Sequence, residues 1–435
     1  MTKQLLKFTG YCLFINALLN APSWAQVIAP SAQEVKFSYE ATFVAKGEVN
    51  ARGKVVDPET LASDHAQHML GLFHSPTLIE KFQIDPNQVG GIGAPKMPFK
   101  ISIVSATKSD QDGKVLIKYR NSGLMLLHNN AAKALLQSGT FEVPLPYDVT
   151  KIYNIKCTDS HYTSEGDYWY FYDPYRDGCQ YLLESPYAQL TKINIQPSTK
   201  RKIDQSPRLD LLRGDNGNGS LFSIYAIDGF AESSTSRSDE GRENFKDLNQ
   251  YLTEQGFKLD IENRRNTQPL YRFTKSLVLA NGKKIDVEVK HLLVETGIDS
   301  RSVTFAKFFK EAVENADVII YGGHSGLGGN LDIPSLEEKA GGFKFNPKKK
   351  QIFYFESCSS YTYYLDEFRV EKTRSSIDVI SNGLSSAFNV WPDIFRSLMD
   401  TLMDTKRNDR PWLDILRDME APLEGGSYLL NVGGV

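Results

Sequence analysis

Several residue patterns are scarce or missing in this sequence, and each gap removes a class of function. None of its seven histidines follows His324. No apolar run reaches the roughly 20 residues that a membrane-spanning helix needs. The formal net charge is only −3, so no basic field points to nucleic acid or to an anionic membrane. The glycine-rich stretch 322–330 is closed by no Lys-Ser or Lys-Thr pair and has no three glycines at dinucleotide spacing, which removes the common nucleotide loops. Nothing in the sequence calls for a cofactor. Cysteine is sparse, with four in 435 residues.

That sparsity is informative. Cys12 falls in a stretch that reads as an export signal: Lys3 and Lys7 precede an apolar run over 11–19, and Ser23-Trp24-Ala25 offers small residues where a signal peptidase reads them. Cleavage before Gln26 is expected, giving a soluble chain in the periplasm or outside the cell. A bulky Tyr11 before Cys12 argues against a lipid anchor there. Three cysteines then remain. Cys157 and Cys179 flank the aromatic run Tyr168-Trp169-Tyr170-Phe171-Tyr172, a spacing that suits a local disulfide in an oxidising compartment. Cys358 is left as the free thiol, and an odd thiol in an exported protein is worth chemical scrutiny.

With 41% hydrophobic residues, the chain can bury two cores. We expect a β-rich domain over 26–195, an exposed linker over 196–220 and an α/β domain over 221–435. The first domain shows alternating strands over 36–44, 99–107, 115–119, 168–172 and 190–195, interrupted by one helix over 58–72, and reads as a sandwich or barrel. The linker is rich in Pro, Lys, Arg, Asn and Gly, with Lys200, Arg201, Lys202, Arg208 and Arg213 open to proteolytic nicking. Beyond it, strands and helices alternate: strands over 221–227, 257–261, 318–321, 351–355 and 377–380, a hairpin about Asn281-Gly282, and helices over 240–254, 302–315, 392–403 and 412–418. Such alternation implies a mainly parallel sheet flanked by helices.

Two of these strands end in reactive residues. The run 318–321 leads into Gly322-Gly323-His324-Ser325-Gly326, and 351–355 leads into Glu356-Ser357-Cys358-Ser359-Ser360. Ligand chemistry in open α/β sheets sits beyond the carboxyl ends of strands, so His324 and Cys358 should face one crevice. A serine elbow at Ser325 is a poor alternative: Leu327 stands where a small residue is wanted, and no later histidine could complete its triad.

Apolar strand, histidine, linking segment, apolar strand and Glu-Ser-Cys together resemble the caspase-like cysteine peptidases, the group of caspases, legumains, gingipains, clostripains and separases. Glu356-Ser357-Cys358-Ser359 is similar to the Glu-Ala-Cys sequence of legumains, and the likeness covers about 221–386, where 221–227 with Asp228-Gly229 resembles the fold's first strand. It implies a caspase-like fold, a Cys358–His324 dyad cleaving a polypeptide through a thioester, and an oxyanion hole formed by the backbone N–H of Cys358 with that of Ser325 or Gly326. The family usually has glycine directly after the histidine, whereas Ser325 stands here. The loop holding Ser381, Asn382, Gly383 and Ser385 is expected to border the substrate pocket, and Glu356 to shape the sheet edge or touch substrate. The competing class is a non-catalytic secreted binding or scaffolding protein that retains the fold. His65, His68 and His74 are spaced as metal ligands could be, but without a zinc-protease motif no metal site is assigned. Lys348-Lys349-Lys350 reads as a solvated turn.

Overall fold

The computed structural model describes residues 26–153, 157, 172–198, 205–214, 216–263, 268–297 and 302–434. The signal-like stretch and most of the predicted strand 168–172 lie outside them. The first half supplies β1 (Gln26–Ile28), β2 (Ala32–Lys46), β3 (Gly93–Pro95), β4 (Lys100–Lys108), β5 (Lys114–His128), β6 (Thr140–Pro146) and β7 (Ala188–Pro197). The second supplies β8 (Leu221–Gly229), β9 (Lys258–Asn263), β10 (Leu270–Val278), β11 (Lys284–Val294), β12 (Val318–Gly322), β13 (Gln351–Glu356), β14 (Ile377–Ser381) and β15 (Asn431–Gly433).

The larger sheet has nine strands in the order β1-β15-β14-β13-β12-β8-β11-β10-β9. Its centre, β14-β13-β12-β8-β11, is parallel, and the strands outside it pair antiparallel. Every residue of β13 is buried because side chains alternate between two covered faces. Ile352 and Tyr354 pack on one side with Trp391, Phe395 and Trp412 of helices Trp391–Met403 and Trp412–Glu420. Phe353 and Phe355 pack on the other with Phe305 and Phe309 of helix Val303–Asn315, whose start is capped by the Ser302 hydroxyl accepting from Phe305 N–H at 3.1 Å. The mixed α/β architecture follows the predicted alternation.

Four expectations need correction. The first half is neither sandwich nor barrel: β3-β5-β2-β7-β6, with β4 on β5, form one antiparallel sheet, and helix Pro58–Phe73 packs its Ala62, Ala66 and Met69 into that sheet's core. Nor does the first half stand apart. β1 belongs to the nine-stranded sheet, and Ile28, Ala32 and Leu126 sit in a core shared with Phe353 and Tyr361. The Tyr361 hydroxyl also donates to Glu34 at 3.0 Å. Short-range sequence pattern does not show such interleaving, because β1 meets its partner only from the far end of the chain.

The stretch 196–220 is the third correction, made on 196–198, 205–214 and 216–220, since Lys200, Arg201 and Lys202 lie outside the described residues. Its first residues complete β7, while Leu209 and Leu212 are fully buried in the α/β core. Asn216 and Asn218 donate to the buried Asp317 at 2.7 and 2.8 Å. Arg213, expected on the surface, is 1% exposed. Its guanidinium donates to the carbonyls of Thr401, Leu402 and Asp404 at 3.1, 3.1 and 2.7 Å, satisfying acceptors at the end of helix Trp391–Met403. Burial holds its pKa down at about 10. Replacing Arg213 with methionine should leave those carbonyls unpaired and lower stability by about 3 kcal/mol, read from the urea midpoint. Lys349 and Lys350 are likewise buried rather than solvated, paired to Asp317 and Asp378 at 2.9 and 2.8 Å.

Among the described residues no helix is long and apolar enough to cross a membrane. Cys157 and Cys179 form a disulfide, as expected.

Candidate active site

His324 and Cys358 follow the carboxyl ends of adjacent parallel strands, β12 and β13, whose register pairs Gly322 with Glu356. Both line one cavity of about 280 Å³, together with Glu240, Gly323, Glu356, Ser386, Ala387, Phe388 and Asn389. Gly322 is required where it stands: a Cβ there would come within 2.5 Å of the Trp391 indole, which lies across the strand end and donates to Asp228 at 2.8 Å.

The turn after His324 is held from several sides. The His324 carbonyl accepts from the Tyr321 hydroxyl at 2.6 Å and from Asn330 Nδ2 at 2.9 Å, and the Ser325 carbonyl accepts from the Tyr364 hydroxyl at 2.6 Å. Gly326 has φ of +54°, and a Cβ would meet Asn330 Oδ1 at 2.1 Å, so only glycine fits. Leu327 and Ser359 take similar positive φ values without that freedom, at 53° and 52°, and such backbone strain concentrates where function fixes geometry.

The imidazole is oriented by a group that the sequence did not reveal. His324 Nε2 lies 2.6 Å from the carbonyl of Ala231, in the loop after β8. A carbonyl only accepts, so Nε2 carries the proton and, in the neutral ring, Nδ1 keeps a lone pair. The Phe388 ring meets the imidazole edge-on at 5.2 Å. Cys358 is partly exposed, and its Sγ lies 3.9 Å from the Ser386 carbonyl.

No protein-family model matches the chain, and no curated protein matches it either. Among solved structures it is similar to a secreted C11 cysteine protease from Bacteroides thetaiotaomicron, "iotapain", at 13% identity and a TM-score of 0.24, over 41% of this chain and 57% of that one. The chain thus spans little more than half the length of that structure.

Besides His324 and Cys358, the titratable groups lining the cavity are two carboxyls, Glu356 and Glu240. Glu356 is 3% exposed; its Oε1 has no hydrogen-bond partner among the described residues, while Ser386 bonds the carboxyl. Burial pushes its pKa up to about 8, the charge of nearby Asp228 adds to the rise, and the Ser386 bond opposes it. Glu240, in the first turn of helix Glu240–Glu254, supplies a second, exposed carboxylate. Among the described residues no lysine or arginine lines the space. Behind it, His291 Nε2 lies 2.8 Å from Asp228.

The predicted pocket border is corrected in part. Ser381, Asn382 and Gly383 lie beneath the surface: Ser381 donates to Asn431 at 3.1 Å, Asn382 is fully buried, and Gly383 abuts Leu126 and Leu429. Ser385 packs against Gly90; of the expected loop 381–386 Ser386 does line the cavity, and the border continues from it to Asn389. Strand β14 runs one residue further than predicted, which draws the loop's start into the sheet. Ser325 and Gly326 follow the lining residue His324 without lining the cavity themselves. The three spaced histidines are separately engaged. His65 contacts the Tyr119 hydroxyl and the Pro146 carbonyl, both at 2.7 Å; His68 contacts the His65 carbonyl at 2.9 Å; His74 contacts Ser359 at 3.3 Å. Sequence reasoning missed Ala231, Glu240, Phe388 and Asn389, which sit in loops or at a helix start. Only Asp228, the acid closing the apolar run of β8, carried a visible signal.

Proposed function

We propose that the chain is an exported cysteine endopeptidase of caspase-like fold, with Cys358 as nucleophile and His324 as general base and acid. One observation carries this reading: a thiol outside any disulfide and an imidazole fixed on Ala231 open onto the same cavity from adjacent strand ends. The imidazole takes the thiol proton, the sulfur attacks a peptide carbonyl, and the backbone N–H of Cys358 with that of Ser325 or Gly326 stabilises the oxyanion. The C–N bond then breaks, the imidazolium protonates the leaving amine, and water hydrolyses the thioester. The lysine, apolar and Ser-Trp-Ala pattern before Gln26 and the Cys157–Cys179 disulfide support export.

Glu356 and Glu240 favour a substrate residue with a long cationic side chain before the scissile bond. A buried carboxyl with an unpaired oxygen gains most from a hydrogen-bonded cation. Profiling the mature protein on a peptide library should show cleavage after Arg or Lys, and an Arg-bearing acyloxymethyl ketone should label Cys358 irreversibly. A protein that cleaves nothing and leaves Cys358 unlabelled is a scaffold instead.

A further inference from the structure

The turn carrying Cys358 is braced by the first half of the chain. Cys358 packs against Leu70 at the end of helix Pro58–Phe73 and against Ala94 of β3. The next residue, Ser359, holds a left-handed conformation that a non-glycine side chain adopts only when its surroundings impose it. Besides starting the short helix that follows, it is held from two other segments: its N–H donates to the Leu384 carbonyl at 2.9 Å, and its hydroxyl meets His74 Nε2 at 3.3 Å. Just beyond, Thr362 donates to the Pro95 carbonyl at 2.8 Å, and Lys96 pairs with Asp366 at 2.9 Å.

A domain lying against a nucleophile can obstruct it or hold it in place, and the lining of the cavity separates the two. Among the described residues, those lining the cavity that His324 and Cys358 share all come from the second half. The contacts reach the nucleophile from behind.

We propose that the first-half sheet is a positioning element for the nucleophile, and that His74, acting through Ser359, fixes the Cys358 turn in its reactive geometry. Resting on the peptidase reading above, this makes His74 a positioning residue, outside the dyad. Small displacements of a nucleophile cost rate without costing ground-state binding, so the effect belongs to kcat.

The test uses the full mature chain with His74→Ala, His74→Gln, Ser359→Ala and the His74→Ala/Ser359→Ala double variant. His74→Ala should lower kcat by about tenfold while KM changes less than about threefold. It should also slow alkylation of Cys358 by iodoacetamide. His74→Gln, whose amide can donate to or accept from the Ser359 hydroxyl, should restore most of both. The double variant should be no worse than the more impaired single variant, since both remove one contact. Wild-type kcat and alkylation in His74→Ala would overturn the proposal, and so would a rise in activity, which would make the first half a restraint. Should His74→Ala fail to fold, Ser359→Ala removes the same contact from the other side and decides alone. If the wild-type chain cleaves no peptide, the peptidase reading falls, while the alkylation rates still decide whether His74 positions the thiol.

Discussion

Replacing Cys358 with alanine is expected to abolish peptide hydrolysis, with kcat falling by a thousandfold or more. The effect should be this large because in the proposed mechanism the thiol supplies the covalent step itself, which an alanine methyl cannot do. Ser357 and Ser360 are buried, and the Ser360 hydroxyl is engaged with the Phe355 carbonyl at 2.7 Å. Binding should survive, since the pocket walls and the backbone N–H of residue 358 remain. The informative measurement is therefore single-turnover cleavage of an Arg-containing peptide alongside equilibrium binding of the same peptide. Lost cleavage with retained binding is the expected result; unchanged cleavage would end the proposed mechanism.

Glu356→Gln is the second large effect, and it acts on selectivity. Against Arg or Lys substrates kcat/KM should fall by about a hundredfold, because a buried cation loses its counter-charge. Substrates with uncharged residues at that position should change little. The pH dependence has a definite sign. In the free protein burial raises the Glu356 carboxyl from its ordinary value of 4.5 to about 8, so it is mostly protonated at neutral pH. Cleavage after Arg should therefore rise with pH up to about 8, and the Gln variant should lack that limb. Stability runs the other way: a carboxyl whose pKa is raised by folding contributes stability below its unfolded value, and that contribution is lost as pH rises through the folded one. Urea midpoints of the wild-type chain should fall between pH 4.5 and 8 relative to those of Glu356→Gln.

What could be read from the sequence was set by the range of the interactions. Helix Glu240–Glu254 matches its predicted bounds, because Asp239 caps its start and its apolar face repeats regularly. The reactive strand ends were legible for a similar reason, since a fully buried parallel strand is a continuous apolar run. Features built from distant segments were hidden. Strand β6 carries Pro144 and Pro146, which read as breakers but are tolerated because β6 lies at the sheet edge. Arg213 looked like a surface cation because nothing local shows that it ends against helix Trp391–Met403. The Ala231 carbonyl is invisible to any side-chain pattern, as backbone acceptors are.

Strand β1 gives the molecule a property that concerns its history more than its chemistry. Gln26 donates to Asn431, 405 positions along the chain, across the pairing of β1 with β15. A ribosome makes β1 long before its partner exists, so this edge of the nine-stranded sheet cannot close until nearly the whole chain is available. A growing or threading chain would thus carry Cys358 in an unfinished sheet. Once closed, the same pairing acts as a fastener. A cut within 196–220 should leave two pieces that separate on a denaturing gel yet migrate as one particle by native size exclusion.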